Sequence, residues 1–247
     1  MANLTQLRML EDLNGILLVD KPEGISFSTV VKTVKRNFNL VKVGHGGSLD
    51  TWASGLLVLL VNDANAYVDR VMGADRAYAG ALRLGVATST GERYGRVIGA
   101  EDETATVASL QAKIDEVLPQ FKGDVFQEEM RFCSVRRDNA AEYEVVETGA
   151  HKPFLAHVSK WALKPDANDP RAMTFTLLGS KGLLPRVLVN DFGAALGCGA
   201  MLTALRRTSC GALDVKDAIS FQRLLETPMH AFAAHVRPIS SILPDHG

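Results

Sequence analysis

A glycine-rich segment lies between two short apolar runs early in the chain, and it limits the possible fold more than any other feature. It reads Gly-His-Gly-Gly-Ser-Leu-Asp-Thr-Trp-Ala-Ser-Gly over residues 44–55, with apolar runs at 40–43 and 56–61. Short apolar runs bounded by turn residues predict buried strands. Glycine adopts backbone angles that other residues avoid and lets a ligand approach the main chain. We therefore predict a tight loop between two strands, with one carboxylate, Asp50, near its end.

The same segment also has an ordinary structural interpretation, because glycine and aspartate are favoured in turns. The sequence contains no G-x-x-x-x-G-K-[ST] phosphate loop, no G-x-G-x-x-G dinucleotide motif and no G-x-S-x-G nucleophile elbow. A hydrolase that uses Asp50 as nucleophile ranks last, since no second acid or base stands at motif spacing. Spacing alone leaves a structural turn and an active-site loop both open.

Bulk composition indicates an ordinary globular protein. The chain has 247 residues, of which 47% are hydrophobic and 22% charged, enough for one large or two small domains. Its beginning lacks a basic segment followed by an apolar run, so we expect no signal peptide. No apolar run approaches the roughly 20 residues of a membrane helix. The three cysteines form no C-x-x-C pair, so we expect no metal, no disulfide and a cytoplasmic location.

The charge distribution bears on a nucleic-acid partner. The net charge is −1, whereas proteins that grip RNA usually present a basic face. Positive residues do fall into three local groups: Lys32, Lys35, Arg36 and Lys42; Arg131, Arg136 and Arg137; Arg206 and Arg207. Folding that brings the groups together gives an RNA groove, while any single group is more simply a solvated face.

Apolar periodicity and turn residues predict strands and helices in irregular alternation, which favours an α+β fold. We predict strands at 16–20, on both sides of the glycine-rich segment, and at 77–86, 157–163 and 173–178. We predict helices after Ser26 or Ser28 and at 64–72, 106–118 and 186–196, the last with Pro185 at its first position. Residues 119–150 look like a polar, irregular insertion.

Five segments resemble, in the same order, the motifs of the TruB family of tRNA pseudouridine synthases. The glycine-rich segment fits G-H-[TG]-G-[TS]-L-D-x-x-[AV]-[ST]-G, a long and highly specific signature. The other segments are residues 15–26, 76–85, 180–200 and 205–208. The match runs from about residue 14 to about residue 211.

The resemblance implies the pseudouridine synthase fold, in which helices and loops flank a mixed, mostly antiparallel central sheet. Residues 1–13 look like a short leader. The resemblance implies a catalytic domain at 14–211 and, within it, an insertion at 119–150 that closes on the RNA stem-loop. Family members often add an RNA-binding PUA domain, and the remaining 212–247 is too short for one, so we predict a short helical tail.

The resemblance also implies the residue roles. Asp50 is the catalytic carboxylate, acting as nucleophile or as base at the sugar. Arg186 pairs with it, and Tyr78 stacks on the flipped base and assists proton removal at C5. The residues assigned to RNA and base binding are His45, which takes the place of the flipped nucleotide, Leu205, which packs under the base, Gly46 and Leu184. Lys21 and Pro22 are expected to serve the first turn.

Two regions depart from the family pattern. Where the family reads G-T-Y-[IV]-R, this chain has Gly-Leu-Leu-Pro-Arg over residues 182–186, so Leu184 replaces a tyrosine and Pro185 precedes the arginine. In the insertion, Q-x-P-P-x-[FY]-S-A becomes Gln-Glu-Glu-Met-Arg-Phe-Cys-Ser over 127–134, and an arginine becomes Glu147. Acids facing phosphate would repel it.

These observations support two hypotheses. The first is a cofactor-independent, monomeric synthase that isomerises the T-loop uridine of tRNA, using Asp50. The intact segment 44–55, Tyr78 and Arg186 favour it. The second is a divergent, weakly active or inactive member that binds tRNA or assists its folding, or a synthase with a different RNA target. Leu184 and the altered insertion favour the second.

Overall fold

The computed structural model of the protein describes residues 12–137, 140, 142–149 and 152–242. The predicted leader therefore lies almost wholly outside the described residues. The helices are α1 (Phe27–Asn37), α2 (Val68–Gly73), α3 (Val107–Val117), α4 (Pro185–Leu196) and α5 (Phe221–Glu226). The strands are β1 (Gly15–Lys21), β2 (Val43–His45), β3 (Ser54–Val61), β4 (Arg76–Leu84), β5 (Ala87–Thr88), β6 (Val97–Ile98), β7 (Gly123–Gln127), β8 (Phe132–Val135), β9 (Glu144–Glu147), β10 (Phe154–Pro165), β11 (Ala172–Gly179), β12 (Ala200–Cys210), β13 (Leu213–Asp214), β14 (Ile219–Ser220) and β15 (Val236–Arg237).

The chain divides into two compact units. The first unit comprises the residues up to Ala74 together with those from Arg207 onward, and the second comprises Asp75–Arg206. Strand β12 crosses the boundary, so its last four residues, 207–210, belong to the first unit. The single catalytic domain over 14–211 stays a prediction.

The first unit is organised around the antiparallel pair β1 and β3, in register from Gly15 opposite Val61 to Lys21 opposite Gly55. Side chains of a strand alternate between two faces. Leu17 and Leu59 accordingly join one apolar cluster with α1 and α5, whereas Ile16 and Leu60 join a second cluster on the other face. Because both faces are buried, these strands read as continuous apolar runs rather than as alternating patterns.

Local signals account for α1 in the first unit. The Ser26 hydroxyl accepts a hydrogen bond from the Thr29 amide at 3.0 Å, which satisfies one of the free amides at the helix start. Val30 and Val34 are buried, while Lys35 and Arg36 lie in the last turn, where cations interact favourably with the helix dipole. The predicted helix and its serine cap are confirmed.

Residues 212–242 complete the first unit. Strand β14 pairs with β1 in parallel at Val19 and Asp20, and β15 pairs with β1 antiparallel at Ile16 and Leu17. The predicted helical tail therefore needs correction. It contains α5 but also adds strands, because β1 has free hydrogen-bonding groups beside its β3 ladder that a strand can satisfy.

The second unit carries an antiparallel sheet in the order β4-β11-β10-β7. Helix α3 is capped by Thr106, whose hydroxyl accepts from the Ser109 amide, and α3 contacts α4. Beneath the sheet, the rings of Phe121, Trp161 and Phe192 pack edge to face, with centroids 5.1–6.0 Å apart. The predicted α3, α4, β10 and β11 are confirmed, with β10 longer than expected.

Two predicted segments need correction. Residues 119–150 form three strands, β7, β8 and β9, where an irregular insertion was expected. Residues 64–72 divide into a 3₁₀ turn at Asn62–Tyr67 followed by α2. The turn begins at Asn62, which has a left-handed φ of 48°. The side-chain amide of Asn65 donates to the Leu60 and Asn62 carbonyls at 2.9 and 2.7 Å. Side-chain hydrogen bonds to nearby carbonyls compete with an α-helical start.

Candidate active site

The glycine-rich loop joins β2 to β3, which are antiparallel neighbours with His45 opposite Leu59. The Gly46 amide donates to the Val58 carbonyl at 2.8 Å. A Cβ on Gly46 would collide with the Val71 side chain. Gly47 and Gly55 have φ values of 128° and 105°, which favour glycine. Steric limits therefore explain the glycines of the predicted loop.

Asp50 lies in this loop and is half-buried. The Ala53 amide donates to its backbone carbonyl at 3.1 Å, closing a turn that begins at Asp50. The carboxylate attracts the Lys21 ammonium, and this attraction opposes the fall in the pKa of Lys21. The predicted catalytic carboxylate is thus partly withdrawn from solvent and lies in the field of a buried cation.

Lys21 is fully buried at the end of β1. Its ammonium donates to the carbonyls of Pro22 at 3.0 Å, Ile25 at 2.8 Å and Thr51 at 3.4 Å. Burial lowers its pKa from 10.5 to about 8, because an apolar environment disfavours the charged form. Lys21 serves the first turn, as expected, and also ties that turn to the residue that follows Asp50.

Arg207 holds the other side of the loop. Only 3% of this residue is exposed. Its Nε donates to the Leu56 carbonyl at 2.8 Å, Nη1 to the Ser48 carbonyl at 2.8 Å and Nη2 to the Gly47 carbonyl at 3.2 Å. The sequence predicts that Arg207 lies among the positive residues of a groove or a solvated face. The structure corrects this, because its guanidinium donates to main-chain carbonyls inside the first unit.

His45 packs at the entrance to the loop. Its ring lies 4.7 Å from the Phe27 ring, centroid to centroid, and its Nδ1 accepts a hydrogen bond from the Gly47 amide at 3.3 Å. Burial lowers its pKa below 6.5, and the charge of Arg207 acts in the same direction. The imidazole is therefore neutral near pH 7, with the proton on Nε2.

The second unit holds the other predicted site residues. Tyr78 on β4 and Leu205 on β12 are both buried. Arg186 is half-buried at the second position of α4, and its Nη1 donates to the Thr90 carbonyl at 3.0 Å. Leu184 is half-buried and immediately precedes Pro185, the first residue of α4. These four residues are thus placed on three elements and one helix cap of the second unit, whereas Asp50, His45 and Gly46 lie together in the first.

Leu184 is held by its backbone. The Gln127 side chain donates to the Leu184 carbonyl at 3.1 Å and accepts from the Leu184 amide at 2.9 Å. Proline at the first helical position has a suitable φ and lacks an amide that would have no partner there. The departure at Pro185 therefore fits a regular helix start ahead of Arg186.

Glu92 is a buried carboxylate that our sequence reasoning missed. It accepts hydrogen bonds from the Thr90 hydroxyl at 2.6 Å, the Tyr94 amide at 2.7 Å and the Ser134 hydroxyl. Thr90 therefore contacts both groups, because its hydroxyl donates to Glu92 and its carbonyl accepts from Arg186. No sequence signal distinguished it from the many exposed glutamates of the chain.

The insertion contains an antiparallel hairpin, β8 and β9, that carries its own ion pairs. Arg131 pairs with Glu147 at 2.7 Å, and Arg137 pairs with Glu144 at 3.2 Å. Glu147, which stands where the family has an arginine, therefore neutralises one of the basic residues of the insertion. Its hairpin offers less positive charge to a phosphate than the count of arginines suggests.

Among the described residues, no group of three or more His, Cys, Asp or Glu side chains is placed to hold a metal ion. No helix in the described part of the chain is long and apolar enough to cross a membrane. The absence of a cofactor stays a prediction.

Comparison with known structures identifies the fold. A Cbf5-Nop10-Gar1 complex matches with a TM-score of 0.68 and 22% identity over 96% of this chain. An H/ACA ribonucleoprotein bound to a substrate RNA containing 2'-deoxyuridine matches with a TM-score of 0.67. The chain spans 63% and 62% of the lengths of these two matched chains. The predicted pseudouridine synthase fold, with its mostly antiparallel sheet, is confirmed.

Sequence comparison then gives the family. The model described as TruB family pseudouridylate synthase (N terminal domain) matches residues 35–164, and the tRNA pseudouridylate synthase B C-terminal domain matches residues 186–243. The chain is 35% identical over 232 residues to tRNA pseudouridine synthase B of Burkholderia lata, covering 94% of this chain and 71% of that one. It is 32% identical to the same protein of Azoarcus sp., covering 94% and 76%. The chain belongs to the TruB family of pseudouridine synthases, and the predicted enzyme class is confirmed.

Proposed function

We propose that this chain isomerises the T-loop uridine of tRNA to pseudouridine, with Asp50 as its catalytic carboxylate. The observation that carries the proposal is the glycine loop. Gly46 and Gly47 allow its tight course, and two buried cations, Lys21 and Arg207, bind its carbonyls on either side of Asp50. A turn that served only to connect β2 to β3 would not need two buried charges, which are costly to desolvate.

The reaction exchanges one bond for another. The N1–C1′ bond of uridine breaks, a C5–C1′ bond forms, the proton on C5 is lost and N1 gains a proton. No electrons leave the nucleoside, so the chemistry requires no redox cofactor. The target base must first leave its stack to be reached. Asp50 then acts at the sugar, as nucleophile or as base, and a covalent intermediate would divide the step in two.

The remaining residues have supporting roles in this proposal. Tyr78 stacks on the flipped base, a contact worth about 1–3 kcal/mol, and assists removal of the C5 proton. Arg186 pairs with Asp50, and its orientation is supported by the Thr90 carbonyl. The residues that would contact RNA and base are His45, Gly46, Leu184 and Leu205. We also propose that the enzyme is a cytoplasmic monomer. Light scattering on the purified chain tests the oligomeric state.

A second function is favoured by two specific observations. Leu184 brings no ring or hydroxyl to a position where the family has tyrosine, and Glu147 neutralises Arg131 at 2.7 Å. Both changes fit a divergent member that binds tRNA or assists its folding with little catalysis, or one that modifies a different RNA.

The deciding experiment measures tritium release from a tRNA transcript labelled at C5 of uridine. We expect the wild-type chain to release one equivalent from tRNA, and Asp50→Asn to release none while still binding tRNA on filters. Asp63→Asn, at an exposed position in the same unit, is the matched control and should behave as wild type. A transcript in which cytidine replaces the target uridine of the T-loop should release no tritium.

Other outcomes would redirect the assignment. Binding without release by the wild type would support the tRNA-binding hypothesis. Release that persists in the cytidine transcript would indicate a different target uridine. Full activity of Asp50→Asn would remove the carboxylate from the mechanism.

A further inference from the structure

Arg207 is a buried cation to which the proposed chemistry gives no direct task. Each of its three guanidinium nitrogens, Nε, Nη1 and Nη2, donates to a main-chain carbonyl at 2.8–3.2 Å. A guanidinium is planar and presents its donors in a fixed fork, whereas a lysine presents a point charge on a flexible stem. The side chain can therefore fix the relative positions of the three peptide groups that it contacts.

The three acceptors enclose Asp50 along the chain. Gly47 and Ser48 precede it by three and two residues, and Leu56, which follows it, is fully buried in β3. Leu56 is held in the β1–β3 ladder, opposite Asp20. The guanidinium thus links two loop residues that precede Asp50 in the sequence to a sheet residue that follows it. The backbone path of the residues between them therefore depends on this side chain.

The charge of Arg207 also reaches the loop. Burial is the main cause that lowers the pKa of Lys21 and of His45, and the charge of Arg207 acts in the same direction on both. Lys21 and Asp50 attract one another across the same region.

We infer that Arg207 is a positioning residue for Asp50, one that fixes the backbone of residues 47–56 so that the carboxylate is presented in one orientation. The inference rests on the proposed function, since it assumes that Asp50 acts on the substrate. Burying a guanidinium is costly because it takes a charge out of water, and an apolar side chain would fill the space without that cost. The hydrogen bonds to the loop give a reason for the charged residue.

The test compares Arg207→Lys with wild type in single-turnover tritium release and in tRNA filter binding. Lysine keeps the charge but loses the fork. Because a misplacement of about 1 Å can cost on the order of 100-fold in rate, we expect the single-turnover rate constant to fall by roughly 30- to 100-fold. The Kd for tRNA should stay within about threefold of wild type, as a buried residue offers no contact to phosphate. Arg70→Lys, at an exposed position of α2, is the matched control and should leave both values unchanged.

Two results would overturn the inference. One is an Arg207→Lys rate constant within threefold of wild type, which would reduce the residue to a stabilising role. The other is a weaker Kd with an unchanged rate constant, which would make Arg207 an RNA-binding residue. If the wild-type chain releases no tritium, or if Asp50→Asn is fully active, the proposed function itself fails.

A measurement on the wild-type chain covers the case in which the substituted protein does not fold. The guanidinium Nε proton of Arg207 should exchange with solvent as slowly as core amides, because its acceptor at Leu56 lies inside the sheet. The Nε proton of Arg70 should exchange rapidly. NMR of protein labelled with ¹⁵N at arginine Nε follows both, and equal, rapid exchange of the two protons would refute the positioning role.

Discussion

Replacing Lys21 by methionine should change how the stability of the protein depends on pH. In the folded chain the pKa of Lys21 is about 8, against 10.5 for an ordinary lysine. Each tenfold difference in proton affinity corresponds to about 1.4 kcal/mol. The interval between these two values therefore represents on the order of 3 kcal/mol by which burial disfavours the charged form.

The sign follows from proton binding. Between pH 8 and 10.5 the unfolded chain holds a proton on Lys21 that the folded chain has lost, so the free energy of unfolding rises with pH in this window. Below pH 8 both states are protonated and the penalty is fully present. Methionine also leaves three carbonyls without their donor, but that loss is the same at every pH.

Urea unfolding of wild type and Lys21→Met at pH values from 7 to 10.5 measures the effect. The difference in free energy of unfolding between the two proteins should shift in favour of wild type by roughly 3 kcal/mol over the range. Titration of the other residues cancels in this difference. Lys32→Met, on the exposed side of α1, should give a flat difference. A flat difference for Lys21→Met as well would refute the argument that a buried, charged lysine supports the loop.

Three further predictions concern the loop and the insertion. Gly46→Ala should lower both activity and melting temperature, because the added Cβ meets a valine side chain. Gly73→Ala, whose Cβ would have nothing within 4 Å, should lower neither, and equal melting temperatures of the two variants would contradict this prediction. Glu147→Gln should free Arg131 to bind phosphate, which tightens tRNA binding by up to about threefold and steepens the slope of log Kd against log salt concentration by up to about 1. Filter binding from 50 to 200 mM salt measures this slope, and an unchanged slope would count against the prediction. NMR titration should give His45 a pKa below 6.5, so its contribution to stability is lost as pH falls below that value; a pKa above 6.5 would show that the ring is not desolvated.

Elements whose signals are local were predictable from the sequence. The serine cap and spaced valines of α1 lie within one short segment, as do the threonine cap and apolar face of α3. The glycine loop was equally clear, since its residue types and spacing carry the family motif. The assignment of Asp50 as catalytic stays a prediction that depends on that motif.

The supports of the loop could not be predicted in the same way. Arg207 and its acceptor Gly47 are 160 residues apart along the chain, so only the folded sheet brings them together. A sequence shows that a residue is charged but not that it is buried, and arginine is almost never fully buried unless it is paired. Glu92 was overlooked for the same reason.

The insertion was misread because its residues are polar. Arg131 and Arg137, which flank β8, form ion pairs with residues of β9. Tyr143, next to β9, stacks on Tyr94 with ring centroids 3.8 Å apart. These interactions join residues from different segments and leave no apolar alternation to detect. Polar strands of this kind are visible only once their partners are known.

The hydrogen bonds of Gln127 carry a consequence for the chemical lifetime of the protein. Its amide serves Leu184 as a neighbouring strand would, offering one donor and one acceptor to the backbone just before Pro185. Glutamate, the closest isostere, would place an acceptor against the Leu184 carbonyl. Spontaneous deamidation at this one side chain would therefore set two oxygens in opposition at the start of α4, without any change in the size of the residue. The start of α4 is therefore sensitive to deamidation of Gln127, a change that alters the mass and shape of the residue very little.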